Sequence, residues 1–171
     1  MKDPKKPKDH YVDNKKFFEE MVKWKALVKE AEETDEPKPP VTEYIAVCFM
    51  EIGNNLAKKP NFMNYPFKED MVSDGVENCL MYCSNFNPEK STNPFSYFTQ
   101  IIYYAFLRRI QKEKKQNYIK YKYLESLDTK GDFVDILRVM GITDEEQNQY
   151  KVLDKKITTK KKSKDIFDEI V

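Results

Sequence analysis

Between Asn93 and Lys115 the side chains of Tyr97, Gln100, Tyr104, Arg108, Gln111 and Lys115 recur every three or four residues. On an α-helix that spacing makes one stripe. Its chemistry suits unpaired nucleic acid: tyrosine rings stack on bases, glutamine amides reach base edges, and cations meet phosphates. Phe98, Ile102, Ala105, Phe106 and Ile110 fall on neighbouring faces and supply the burial that anchors such a helix. Aromatic residues at helical spacing more often complete a core. A buried face, however, would have to exclude or pair Arg108, Gln111 and Lys115, so the stripe is expected to leave the core.

The helix that carries the stripe has a legible start. Asn93 can accept from the orphan amides of the first turn, and Pro94 loses nothing at the first helical position. Upstream, Phe17, Met21, Trp24 and Val28 mark a first helix, and the segment 34–40, with Pro37, Pro39 and Pro40, is a linker. Val41, Tyr44, Ile45, Cys48, Ile52 and Leu56 mark a second helix that ends near Lys59 and Pro60. A third runs from about Lys68 to Cys83 with Val72, Val76, Cys79, Leu80 and Cys83 inward. Its other face carries Asp70, Ser73, Asp74, Glu77 and Met81, either a solvated acidic surface or a docking surface for a basic partner helix.

Beyond Lys122, Phe133, Ile136, Leu137 and Met140 predict a short helix closed by Gly141, and Thr143 with Glu146 reads as a capping box for another. This last helix begins with acidic residues, which makes it a poor reader of a phosphate-lined groove. The fold class is all-α, since helical periodicity is unopposed by any alternating strand pattern. The expected organisation is a disordered leader at 1–10, a helical domain at 11–122, a small helical extension at 123–157 and a flexible tail at 158–171.

The net charge of +1 conceals local polarity. Arg108 to Lys122 carries seven cations against Glu113, and Glu125 to Glu146 carries seven anions against Lys130 and Arg138. A localised electrostatic footprint fits this better than a uniformly basic binder. Cys48, Cys79 and Cys83 sit in apolar helical patterns, as buried reduced thiols do, which argues against a disulfide framework. With one histidine, His10, in the charged leader, no metal site is expected. No stretch approaches membrane-spanning length, so a soluble, cytoplasmic protein with no membrane partner is expected. Phosphate-binding glycine loops and nucleophile motifs are absent; the chain is read as non-enzymatic and without cofactors.

The segment EDMVSDGVENCLMYCSNFNPEKSTNPFSYFTQIIYYAFLRRIQKEKK resembles the core-binding and promoter-melting region 2 of bacterial sigma factors. With YVDNKKFFEEMVKWK, DGVE, NPFSYFTQ and AFLRRIQKEKK in order, the chain is more similar still to the late-transcription sigma factors of T-even-type bacteriophages, over most of residues 11–122. The resemblance implies a compact helical bundle of the sigma region 2 type in the cytoplasm of a bacterial host. It also implies a phage-encoded specificity subunit that binds RNA polymerase core and opens an AT-rich −10-like element of late promoters. DNA-binding residues would be Tyr97, Phe98, Gln100, Tyr104, Arg108, Arg109, Gln111, Lys112 and Lys115. Asp70, Ser73, Asp74, Val76, Glu77, Leu80 and Met81 would dock on the clamp coiled coil of the polymerase's largest subunit.

Where housekeeping sigma factors have a Tyr followed by a Trp pair, an ungapped alignment gives Phe98, Ile101 and Ile102, and a one-residue shift gives Tyr97, Gln100 and Ile101. The stripe favours Tyr97. The region after Lys122 is short for a separate upstream-promoter domain. In the late factors a hydrophobic-acidic end binds the phage sliding clamp; here DIFDEIV would do so through Ile166, Phe167 and Ile170. Taken without the resemblance, the same tail is either a fraying end or a short linear anchor. Two rival classes are a helical adaptor that binds polymerase or clamp without reading DNA, and a metal-dependent nuclease.

Overall fold

The computed structural model describes residues 10–127, 133–139, 142–152 and 155. The described residues are helical with turns and loops, and no strand occurs among them. The helices are α1 (Asn14–Glu33), α2 (Glu43–Ala57), α3 (Lys68–Tyr82), α4 (Pro94–Leu127) and α5 (Phe133–Val139). A 3₁₀ turn at Cys83–Asn85 follows α3, and residues 144–152 are helical. No helix among them is long and apolar enough to cross a membrane. The chain divides into two compact units between Gln111 and Lys112, within α4 and ahead of the expected boundary at Lys122. α4 continues as one helix past both points.

Side-chain caps start α1, α2 and α4. Asp13 Oδ1 accepts from the amides of Lys15 (3.0 Å) and Lys16 (3.2 Å), and Thr42 Oγ1 from that of Ile45 (3.4 Å). Asn93 Oδ1 accepts from Ser96 N at 3.0 Å, with Pro94 at the first helical position as expected. α3 has no side-chain cap, but Glu69 and Asp70 in its first turn face the positive end of the helix dipole. Asn14 Oδ1 accepts from Phe95 N at 3.1 Å, which ties the start of α1 to the start of α4.

The first unit has one core. Phe17, Met21 and Trp24 of α1 are buried in it with Ile45, Phe49 and Ile52 of α2 and Met71 and Cys79 of α3. Phe98, Ile102 and Phe106 of α4 are fully buried there too. Phe98 is the hub of the aromatic packing, 4.6 Å from the Phe49 ring, 5.7 Å from Phe17 and 5.9 Å from Phe86. Gly75 lets α3 approach α4: a Cβ there would stand 2.9 Å from Ile102 Cγ2 and 3.3 Å from Phe106 Cε1. The proline linker is held rather than loose, because Trp24 Nε1 donates to the carbonyls of Pro39 (3.2 Å) and Pro40 (3.0 Å).

The second unit has its own small core of Tyr121, Leu137, Ile142 and Tyr150, with Tyr118 and Leu124 packed against it. The expected capping box is formed. Glu146 N donates to Thr143 Oγ1 at 3.3 Å, and Thr143 N donates to Glu146 Oε2 at 3.1 Å. Met140 and Gly141, expected to close the short helix, lie outside the described residues, as does the tail with Ile166, Phe167 and Ile170.

Candidate nucleic-acid interface

α4 sorts its side chains as the stripe requires. Phe98, Ile102, Ala105, Phe106 and Ile110 are buried, while Gln100, Tyr104, Arg108 and Gln111 are exposed and Tyr97 is half-buried. Tyr97 lies at the border, its ring 5.4 Å from Phe86 and 5.1 Å from Phe98. Burial, with the Cys83 and Cys79 thiols beyond it, pushes its phenol above the ordinary range, so it stays neutral. Tyr104 is 51% exposed and meets Tyr103 edge-on at 5.8 Å. Farther along α4, Lys112 and Lys115 are exposed.

Two of the expected DNA contacts have other work. Phe98 is 0% exposed and locked among rings, so no base can reach it without opening the core. Between the two possible registers, only Tyr97 has a face near the surface. Arg109 turns toward α3, where Nη2 lies 2.8 Å from Asp70 Oδ2 and Nη1 lies 3.3 Å from Asp74 Oδ2. Its side chain is only 17% exposed, which removes it from the phosphate-facing set. Of the two arginines, Arg108 is the one that belongs to the stripe; it is exposed and donates once, from Nη2 to Asn78 Oδ1 at 2.7 Å. A guanidinium has five N–H donors, so this bond orients the group without exhausting it.

Beside the stripe, the end of α2 and the start of α4 enclose an open groove of about 710 Å³. Lys59, Phe95, Thr99, Gln100, Tyr103 and Tyr104 line it. Two tyrosines, an amide, a hydroxyl and a cation around a cavity of this size match the functional groups of a nucleotide: ring, base edge and phosphate. Tyr103 and Lys59 were not among the site residues expected from sequence, because their approach depends on how α2 packs beside α4.

The acidic face of α3 is also redistributed. Asp70 and Asp74 pair with Arg109, whereas Ser73 and Glu77 are exposed beside Leu80 (41%) and Met81 (61%). Leu80, expected inward, points out; Met71 and Gly75 take the interior with Val72 and Cys79. Val76 is half-buried against the core. The remaining surface is therefore less charged and more apolar than the sequence suggested. Met50 of α2 and Met63 extend it, lining with Val72 and Ser73 a cavity of about 540 Å³.

Cys48, Cys79 and Cys83 are buried and free. Burial pushes Cys48 up to about 11 and Cys83 up to about 12, and raises Cys79 further. These thiols are poor nucleophiles and poor metal ligands, both of which require the thiolate. Among the described residues no three His, Cys, Asp or Glu side chains are grouped to hold a metal ion. No protein-family model matches the chain, and no curated protein matches its sequence.

Proposed function

We propose that this chain is a sigma-like transcription initiation factor, which binds bacterial RNA polymerase core through α3 and opens an AT-rich −10-like promoter element with α4. The observation that carries the proposal is the segregation of α4 into a buried aromatic-aliphatic side and an exposed Tyr104/Gln100/Arg108/Gln111 side with Tyr97 at its edge. Unstacked bases of the non-template strand would lie on the tyrosines and a phosphate on Arg108; Lys112 and Lys115, which follow in the sequence of α4, are further candidate phosphate contacts. TA-rich steps unstack most easily, which fits the element read. Ser73, Glu77, Leu80 and Met81 supply an acidic and apolar docking edge for a basic coiled coil of the polymerase clamp, and Asp70 and Asp74 stiffen that edge through Arg109. The segment DIFDEIV would tether the complex to a phage sliding clamp on DNA, in the cytoplasm of the bacterial host.

The test is co-purification with bacterial core polymerase followed by run-off transcription on an AT-rich promoter. Tyr97→Ala with Tyr104→Ala should abolish promoter opening while core binding survives. If transcription is unchanged, the adaptor reading replaces this one; DNA cleavage in magnesium without polymerase would instead establish a nuclease.

A further inference from the structure

In the second unit α4 is buried along one side, where Tyr121 is 1% exposed and Tyr118 and Leu124 pack with it on Leu137 and Tyr150. Its opposite side carries exposed apolar residues as well. At about 100° per residue, Lys112, Gln116, Ile119 and Tyr123 fall within an arc of roughly 60°, on the far side from Tyr121. Ile119 is 55% and Tyr123 64% exposed. By the same helical arithmetic Lys115 flanks this stripe on one side and Lys120 on the other. All three lysines are exposed, and no carboxylate among the described residues pairs with Lys112, Lys115 or Lys120. The surface thus presents two large apolar side chains with Lys115 on one side, Lys120 on the other and Lys112 along the stripe itself.

The chain carries a segment of the complementary chemistry. Asp165-Ile166-Phe167-Asp168-Glu169-Ile170-Val171 has three acidic side chains and four apolar ones, after a spacer containing Lys160, Lys161, Lys162 and Lys164. Apolar residues at 166, 167 and 170 share one face if the segment becomes helical, with the acids around them. Its attachment point is close. The Tyr150 ring stands 5.3 Å from Tyr121 and 5.7 Å from Tyr118, so the chain leaves beside the stretch of α4 in question. About fifteen residues separate Tyr150 from Asp165, an extended reach of roughly 50 Å, against a helix diameter of about 10–12 Å.

We infer that residues 165–171 dock intramolecularly on the Ile119/Tyr123 face of α4, with Ile166, Phe167 and Ile170 on the apolar stripe and the acids against Lys112, Lys115 and Lys120. A tether of about fifteen residues sets an effective concentration in the millimolar range, so contacts too weak to hold a free peptide tightly are enough to populate the docked form. The docked tail covers Lys112 and Lys115, two cations of the proposed DNA surface, and withholds itself from any external partner. Engaging that partner uncovers the cations. The docking itself does not depend on the proposed function, and its test contains neither polymerase nor DNA.

The test compares backbone and methyl NMR spectra of the full chain with those of a chain ending at Lys164, and titrates the shorter chain with a synthetic peptide of residues 163–171. Removal of the tail should shift the resonances of Ile119 and Tyr123, independently of protein concentration. The peptide should restore them with a Kd of about 1 mM or below, weakening with salt as screening of the ion pairs requires. Ile119→Ser with Tyr123→Ser should raise that Kd at least tenfold; both side chains are exposed, and an unchanged Tyr121/Tyr150 signal set reports that the small core is intact. Unchanged Ile119 and Tyr123 signals on truncation would overturn the inference. So would shifts that grow with protein concentration, which signify the tail of a second copy, or peptide-induced shifts confined to another face.

Discussion

Gly75→Ala adds one methyl group where α3 crosses α4, and its consequence can be estimated from two distances. The new Cβ would meet Ile102 Cγ2 at 2.9 Å and Phe106 Cε1 at 3.3 Å. Neither neighbour can yield easily: both are 0% exposed, and the Phe106 ring is held edge-on at 5.2 Å by Phe62. Overpacking of a tight core costs about 1–3 kcal/mol, while replacing a helical glycine with alanine returns about 1 kcal/mol. The net is a destabilisation of about 1 kcal/mol, which for a unit of this size lowers Tm by a few degrees. Gly53→Ala is the internal control. Its Cβ meets only Val72 Cγ1 at 3.2 Å, at the rim of the core, so the helical gain dominates and stability should hold or rise. The assay is urea unfolding of both variants beside the parent. A Gly75→Ala protein as stable as Gly53→Ala would refute the close α3–α4 contact, and with it the rigid spacing between the docking edge and the stripe. Ile102→Ala should partly absorb the added methyl, so the two changes together should cost less than their sum.

Asn93→Ala removes the cap of α4 and should cost about 1 kcal/mol in urea unfolding. Arg108→Ala with Lys115→Ala should lower the slope of log affinity for promoter DNA against log salt by about 0.9 for each phosphate that is no longer neutralised; Arg109→Ala should leave the slope alone and lower stability instead. Raised thiol pKa values give a pH dependence of definite sign. The folded state keeps Cys48 and Cys83 protonated up to about 11 and 12, whereas the unfolded chain releases these protons near 9. Their contribution to stability is complete below pH 9 and is lost as pH rises from there toward 11–12, which urea midpoints measured from pH 7 to 11 should show. Reaction of the three thiols with a disulfide reagent at pH 8 should proceed only as fast as the protein opens.

Local chemistry was legible where neighbours in sequence are also neighbours in space. The caps at Asn93 and Thr143 and the buried ladder of Phe98, Ile102 and Phe106 follow from spacing alone. Phe49 and Met71 were missed because each stands beside a residue already assigned inward, and a wide apolar arc rather than a narrow stripe is buried in α2 and α3. Leu80 departs from the expectation for an angular reason: the buried arc of α3 is set by Met71, Val72, Gly75 and Cys79, and Leu80 falls past its edge, leaving it 41% exposed although Cys83 one turn on is buried. The partition of charge was the least visible. Whether Arg108 or Arg109 faces solvent depends on where α3 lies, and only the packed structure shows Asp70 and Asp74 beside the second. The same holds for Lys59, which reaches the stripe's groove from the turn that follows α2.

Trp24 is the single tryptophan of the chain, 1% exposed, with its indole N–H held by the carbonyls of the proline linker and Lys38 Nζ 5.2 Å from its ring. The protein therefore contains a built-in optical probe at a joint. Detachment of the 34–40 segment from α1 exchanges carbonyl partners for water and moves a cation away from the indole, altering emission wavelength and intensity while the helices, and hence far-ultraviolet dichroism, stay unchanged. Local opening of the joint between α1 and α2 can be timed separately from global unfolding in the unlabelled molecule.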